Sequence, residues 1–466
     1  MKDTSFTPAQ RRVLFVMLLL IVVVFAALSG FIVTSLQRPQ APTPAATSTV
    51  ETPVPPTSPP IVATSLPTLT PEPEEGIWPQ VQLARLLDQV GRRVETLREL
   101  TPQTEVPLNF LSDRDMTALL RQVYVDRDLA GDLLPYTALG LLPDESVVLR
   151  IPQVIGVYVP EQGQLYLTSG QQDVSEQDRV VLLAHAYGQA LQDQFFDLEV
   201  LRARATTTDA RLAAEALTEG DATVVAARYR YEDLDAVDWP ALEDLLVQSK
   251  QPGYGEELDG DESLNGLKRF PYREGRGFVV ALLQAGGWGT VDRAYVDPPR
   301  STEQVLHPER YLAEERDVPI SVFVPDLEGA LGAGWTLDLR DTLGEFVLGL
   351  YVGQTLPEEA ARDAASGWAG DTFVVWQRAG EDGGRVRVWR TMWDSTADAA
   401  EFEHALVSVI PQRHFPTQPL DGPRGLPGHW WESETGVVYV YRVARYVTLV
   451  EAPDVDTLTD VVEALP

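Results

Sequence analysis

Residues 181–222 read VLLAHAYGQALQDQFFDLEV followed by LRARATTTDARLAAEALTEGDA, and the spacing predicts two consecutive helices. Ser175 with Asp178 three positions later is a capping-box signal for the start of the first, after which Val180, Leu183, Tyr187 and Leu191 recur at helical intervals. On that helix His185 and Gln189 lie one turn apart, and Gln192 and Asp193 extend the same stripe. The second helix, from about Asp209, carries Glu215, Glu219 and Thr223 on one face. One polar stripe is therefore expected to face another.

A zinc metallopeptidase helix of the HExxH type presents histidine ligands at i and i+4, and the glutamate after the first histidine is the general base. Here the five residues are HAYGQ: His185 is kept, Ala186 stands in the glutamate's place and Gln189 in that of the second histidine. The flanks carry the likeness further. The segment resembles a bacterial family of HExxH proteins reading roughly HEYxHALQDQ, with EGDA on the next helix. Upstream, VIGVYVPEQGQLYLTSG (154–170) is similar to the family's hairpin. Downstream, 270–311 (FPYREGRGFVVALLQAGGWGTVDRAYVDPPRSTEQVLHPERY) is similar to its strongest block, and LGEF (343–346) and SGWAGD (366–371) to its last part. The resemblance covers most of 77–376. It implies a zincin-like, gluzincin-type fold in which the glutamate of EGDA, here Glu219, is the third zinc ligand, 34 positions after His185.

Catalytic zinc needs three protein ligands and an open position for water. This chain offers His185 and Glu219, with Glu215 or Asp193 as a third only if folding rebuilds the site. A neutral glutamine amide is a poor zinc ligand. The methyl of Ala186 cannot take a proton from water, and losing a general base alone costs ~10²–10⁴ in rate. No catalytic residue and no cofactor are therefore expected, with zinc at His185 and Glu219 as the residual alternative. Cysteine is absent, which excludes disulfides, zinc ribbons and a lipid-modified cysteine. GxSxG is absent too.

Around this centre the chain divides into five parts. Residues 1–12 form a short tail ending in Arg11 and Arg12. Residues 13–35 contain the apolar run Val13 to Val33, about the 20 residues that cross a bilayer, and the arginines before it place the N-terminus in the cytoplasm. A cleaved signal peptide is the alternative. Residues 36–76, rich in proline and threonine, read as a disordered stalk able to reach on the order of 100 Å at ~3.1 Å per residue. Residues 77–370 form the metallopeptidase-type domain, mainly helical with a small mixed sheet. Residues 371–466, with alternating β segments such as TFVVWQR, RVRVWRTMWD and VVYVYRVARYVTLVEA around a helix, form a C-terminal α+β unit.

Among other features, DGDESLNG in the polar stretch 233–268 departs from a calcium loop at Leu264 and reads as a solvated acidic loop. GALGAGW lacks the GxGxxG spacing. His307, His404, His414 and His429 show no ligand spacing. The balance of 37 basic to 69 acidic residues, net −32, opposes nucleic-acid binding. The expectation is an α+β, zincin-like ectodomain on a single membrane-spanning helix, extracytoplasmic and catalytically inactive. Its partners would be the membrane and a peptide or protein ligand in the cleft between the hairpin edge and the His185 helix. The alternatives are a residual zinc-dependent hydrolase with a rebuilt site and a purely structural ectodomain.

Overall fold

The computed structural model describes residues 80–127, 129–142, 154–168, 174–250, 262–380, 383–414, 416–423 and 425–466. The tail, membrane segment and stalk expected over 1–76 lie outside the described residues. Among the described residues no helix is long and apolar enough to cross a membrane.

Helix α1 (Gln80–Arg98) buries Leu83, Leu87, Val90 and Val94 at three-and-four spacing. Then come β1 (Leu108–Leu111), α2 (Asp113–Asp126), α3 (Leu129–Ala138), β2 (Gly156–Val159) and β3 (Gln164–Thr168). The three strands form a mixed sheet in the order β1-β3-β2, with β1 parallel and β2 antiparallel to β3, so among the described residues β2 is an edge strand. The β2–β3 hairpin turns through Pro160–Gln162 and Gly163, whose φ of +63° is the left-handed conformation glycine adopts without penalty.

Helix α4 (Glu176–Phe196) starts where the sequence places it: the Ser175 hydroxyl accepts from the Asp178 backbone N–H at 3.1 Å. A short helix not foreseen from the sequence, α5 (Leu198–Arg204), separates it from α6 (Thr208–Arg230). Helices α7 (Trp239–Lys250), α8 (Glu262–Gly286) and α9 (Trp288–Val296) follow. Most of the stretch read as an acidic loop is thus helical; its first described residues after the gap join α8 because Leu264 and Leu267 are buried there. Helices α6 and α8 cross at Gly220 and Gly275. A Cβ on Gly275 would sit 2.1 Å from the Ala216 carbonyl oxygen, and one on Gly220 would sit 2.3 Å from the Gly275 backbone. This close crossing holds Glu219 in place.

The chain continues through α10 (Thr302–Leu306), α11 (Pro308–Leu312), α12 (Glu328–Leu331), β4 (Trp335–Asp341), α13 (Gly344–Gly353), α14 (Glu358–Ala365), β5 (Trp368–Arg378) and β6 (Arg385–Trp393). It ends in α15 (Thr396–Arg413), β7 (Thr417–Pro419), β8 (His429–Ser433), β9 (Gly436–Val443), β10 (Tyr446–Ala452) and α16 (Val455–Ala464). The strands form one antiparallel seven-stranded sheet in the order β4-β5-β6-β10-β9-β8-β7. Alternate side chains serve two cores. Phe373, Val375, Trp389 and Val440 join the core of the helical half with Phe402 and Leu406 of α15. Val374, Trp376, Val388 and Tyr439 pack with Leu458 and Val461 of α16. Burial on both faces explains the near-continuous apolar run of β5.

The fold class is α+β, with the small mixed sheet in the helical half. A boundary at residue 371, however, falls inside β5, and the large sheet already begins at Trp335. Asp371 accepts backbone N–H bonds from Leu343 and Gly344 and indole N–H bonds from Trp368 and Trp389, which ties the sheet to the α13 start. SGWAGD thus lies at a join between layers, its Asp371 bonded to both.

Candidate functional site

Helix α4 runs under β2 and α6 lies beside it, so the two polar stripes meet as expected. His185 Nε2 stands 2.9 Å from Glu219 Oε2, and Gln189 Nε2 donates to Glu219 Oε1 at 3.0 Å. One turn on, Gln192 Nε2 donates to the Thr218 carbonyl at 3.2 Å. With Glu219 ionised its oxygens only accept, and His185 is then the donor through Nε2. The His185 ring is fully buried and tilted against the Tyr272 ring, 6.2 Å between centroids. Ala186 is fully buried in the apolar core, with no polar atom at the position of an HExxH base.

The candidate third ligands separate. Asp193 accepts the Tyr158 hydroxyl at 2.6 Å and the Leu198 backbone N–H at 2.9 Å, so both of its oxygens serve to join α4 to β2 and to the start of α5. Burial, reinforced by the Asp193 bond, pushes the Tyr158 hydroxyl well above its usual value. Glu215 lies one turn before Glu219 on α6 and opens into a neighbouring cavity. Its surroundings raise the carboxyl pKa, desolvation first, with Arg202 and Arg127 opposing and Asp132 and Glu219 adding, an effect that the exposure of the side chain to cavity water limits. Among the described residues the one group of three acidic or histidine side chains with mutually close ligand atoms is elsewhere: Glu303, Asp317 and Asp394. Arg310 fills that group, 3.0 Å from Glu303, 2.5 Å from Asp317 and 2.9 Å from Asp394. A zinc ion here would find two ligands, His185 Nε2 and Glu219, with the neutral Gln189 amide in the third position, and that donor set does not fit a catalytic zinc.

The cavity measures about 310 Å³ and is lined by Gln189 and Glu219 on one side and by β2 residues Val157, Tyr158 and Val159 on another. Its arginines are absent from the sequence reading. Arg127 forms a two-pronged pair with Glu161 at 2.6 and 2.9 Å. Arg202 donates to Asp132 at 3.1 Å and to the Arg127 carbonyl at 3.0 Å, and Arg211 lies 3.5 Å from Asp132. Charge pairing holds Glu161 below the usual carboxylate range despite desolvation, which acts the other way. These partners lie 34 to 79 positions apart (211 − 132 for the widest), a separation with no local sequence signal.

Beneath the site, Asp221, two residues after Glu219, is fully buried and accepts from Arg98 Nε at 2.9 and 3.1 Å and from the Tyr295 hydroxyl at 2.9 Å. The glutamate of EGDA faces the cavity, while the aspartate anchors α6 to α1. His307, a second histidine in the resembling segments, pairs with Glu345 at 2.9 Å, and that bond raises its pKa. It is a structural contact.

A family model described as a domain of unknown function (DUF8575) matches residues 336–462. The match begins within β4 and ends within α16, so it covers the seven-stranded sheet with its helices and leaves out the His185 site. No curated protein and no solved structure matches the chain.

Proposed function

We propose that this chain is a degenerate, zincin-like metallopeptidase relative that has exchanged metal chemistry for binding: a pseudopeptidase that receives a peptide or protein in the cavity beside β2. The observation that carries this reading is the state of Glu219, whose two oxygens are each held by a nitrogen donor, His185 Nε2 and Gln189 Nε2. Hydrogen bonds there do the holding that a cation would do in a zinc site. His185 is buried and contributes scaffold rather than contact, while Gln189 and Glu219 reach the cavity. The cavity next to an edge strand favours binding over purely structural service, because an edge strand offers unpaired main-chain groups to an extended peptide. Within this proposal, Val13 to Val33 anchors the chain in the membrane and 36–76 carries the folded part on the extracytoplasmic side.

The test compares the full-length chain in mild detergent with its Gln189→His and His185→Ala variants by elemental analysis and zinc titration. The wild type should hold no stoichiometric zinc and cleave no peptide. Gln189→His should gain zinc, because His185, the new imidazole one turn on and Glu219 then form a three-ligand set with an open position. Stoichiometric zinc in the wild type, lost in His185→Ala, would sink the pseudopeptidase reading. Absence of zinc in Gln189→His would sink the zincin-like one.

A further inference from the structure

The carboxylates lining the cavity are not equivalent. Asp132 and Glu161 are engaged by Arg202, Arg211 and Arg127, and Glu219 by His185 and Gln189. Glu215 and Glu199 are the exceptions: among the described residues neither carboxylate makes a hydrogen bond or ion pair, and of the two Glu215 is the one on the α6 wall beside Glu219. It faces cavity solvent one helical turn from Glu219, and both point the same way along α6. Of the basic side chains that line the cavity, Arg127, Arg202 and Arg211 are taken up by Glu161 and Asp132.

Three further facts bear on what would complete the site. Tyr136, Tyr158 and Tyr272 are among the lining residues, and an aromatic surround favours a planar guanidinium over an ammonium. A volume of about 310 Å³ lies at the small end of ligand pockets, room for one long side chain rather than a length of peptide. The net charge of −32 draws cationic ligands toward the molecule.

We propose that the cavity is a specificity pocket for one basic side chain, arginine ahead of lysine, of an extended peptide paired along β2, with Glu215 as its counter-ion. This rests on the peptide-binding reading and adds its ligand class. The β2 edge supplies main-chain hydrogen bonds that any sequence can make, and Glu215 supplies the choice.

The experiment measures binding of fluorescent hexapeptide pools to the full-length chain by anisotropy. The central residue is fixed as arginine, lysine, citrulline or glutamate, and the other positions are randomised. Arginine pools should bind about tenfold or more tighter than citrulline pools, which keep the shape and lose the charge. Lysine should fall between them, and glutamate should bind weakest. Glu215→Gln should bring the arginine and citrulline pools level while leaving residual binding. Glu215 has no described partner to lose, so Glu215→Gln should keep the wild-type circular-dichroism spectrum and a cooperative melt, which separates loss of choice from loss of fold. Equal binding of arginine and citrulline pools by the wild type, or an arginine preference that survives Glu215→Gln, overturns the pocket and leaves peptide binding standing. Failure of every pool to bind overturns both.

Discussion

Replacing Arg98 with methionine keeps the apolar stem and removes the guanidinium from the most deeply buried charge network of the helical half. Arg98 is fully buried; it holds Asp221, also fully buried, and it reaches Asp292 at 2.7 Å. Its guanidinium also lies over the Trp288 ring, 4.2 Å from the centroid. The Asp292 side chain is 39% exposed, so that pair contributes at most about 1 kcal/mol. The main loss is at Asp221, left with the Tyr295 hydroxyl alone. Removing one partner of a buried pair costs about 3–5 kcal/mol, and Arg98→Met should fall in that range. The deficit should depend on pH. Desolvation already raises the Asp221 carboxyl with Arg98 opposing, and without Arg98 it rises further. A folded-state pKa above the unfolded one means stability falls as pH rises between the two values, by up to about 1.4 kcal/mol per unit. The deficit at pH 8 should therefore exceed that at pH 5. Guanidinium denaturation followed by tryptophan fluorescence at the two pH values measures it. The double variant Arg98→Met with Asp221→Leu should recover about 1–3 kcal/mol relative to the single one. A deficit below about 1 kcal/mol, or one equal at both pH values, would refute this account of the network.

Wild-type stability should rise as pH falls from about 9 to about 5, because buried carboxyls have been pushed up, Asp209 to about 8, Asp371 to about 6 and Glu303 to about 9, and each is stabilised by staying protonated in the fold. His307, raised by Glu345, contributes with the same sign: its stabilisation is full below its unfolded value and lost as pH rises through the folded one. His414, lowered by burial, opposes them as pH falls below its unfolded value. A melting temperature no higher at pH 5.5 than at pH 8.5 would contradict this balance. Gly275→Ala should cost about 3 kcal/mol or more, since its methyl would meet the Ala216 carbonyl at 2.1 Å and the α6–α8 crossing would have to part. A chemical-denaturation midpoint within about 1 kcal/mol of wild type would show that the crossing yields. Tyr158→Phe should cost about 1–3 kcal/mol by leaving Asp193 short of a donor, read in the same assay.

The helix pair, the Ser175 cap and the Gly163 turn were legible in the sequence because each depends on residues within about one turn of one another. The meeting of His185, Gln189 and Glu219 was legible for a related reason: two polar stripes on neighbouring helices have few other ways to avoid the core. The cavity's charge pairs and the Arg98–Asp221 pair, 123 positions apart, were not, because no local periodicity marks a long-range partner. The start of α8 was hidden by its acidic and glycine-rich composition, although Leu264 and Leu267 carry the periodicity that buries it. Strand β4 escaped notice because it is an edge strand, exposed over much of its length, and so lacks the apolar run that gave β5 away.

What Gln189 changes is the sign of what the site offers. A divalent cation on Glu219 would cancel its charge in excess and present a Lewis acid to carbonyl oxygens. On the proposed reading two nitrogen groups, from His185 and Gln189, orient the same carboxylate with no cation to cancel its charge. With Glu215 one turn away and unengaged, the wall of α6 then displays acceptors, and the groups it selects are N–H donors and cations rather than carbonyls. On the proposed reading, the substitution that ended catalysis also converted a site for the peptide bond into a site for a side chain. Restoring a histidine at 189 should accordingly do two things at once: admit zinc, and weaken the preference for a basic peptide residue whenever zinc is bound.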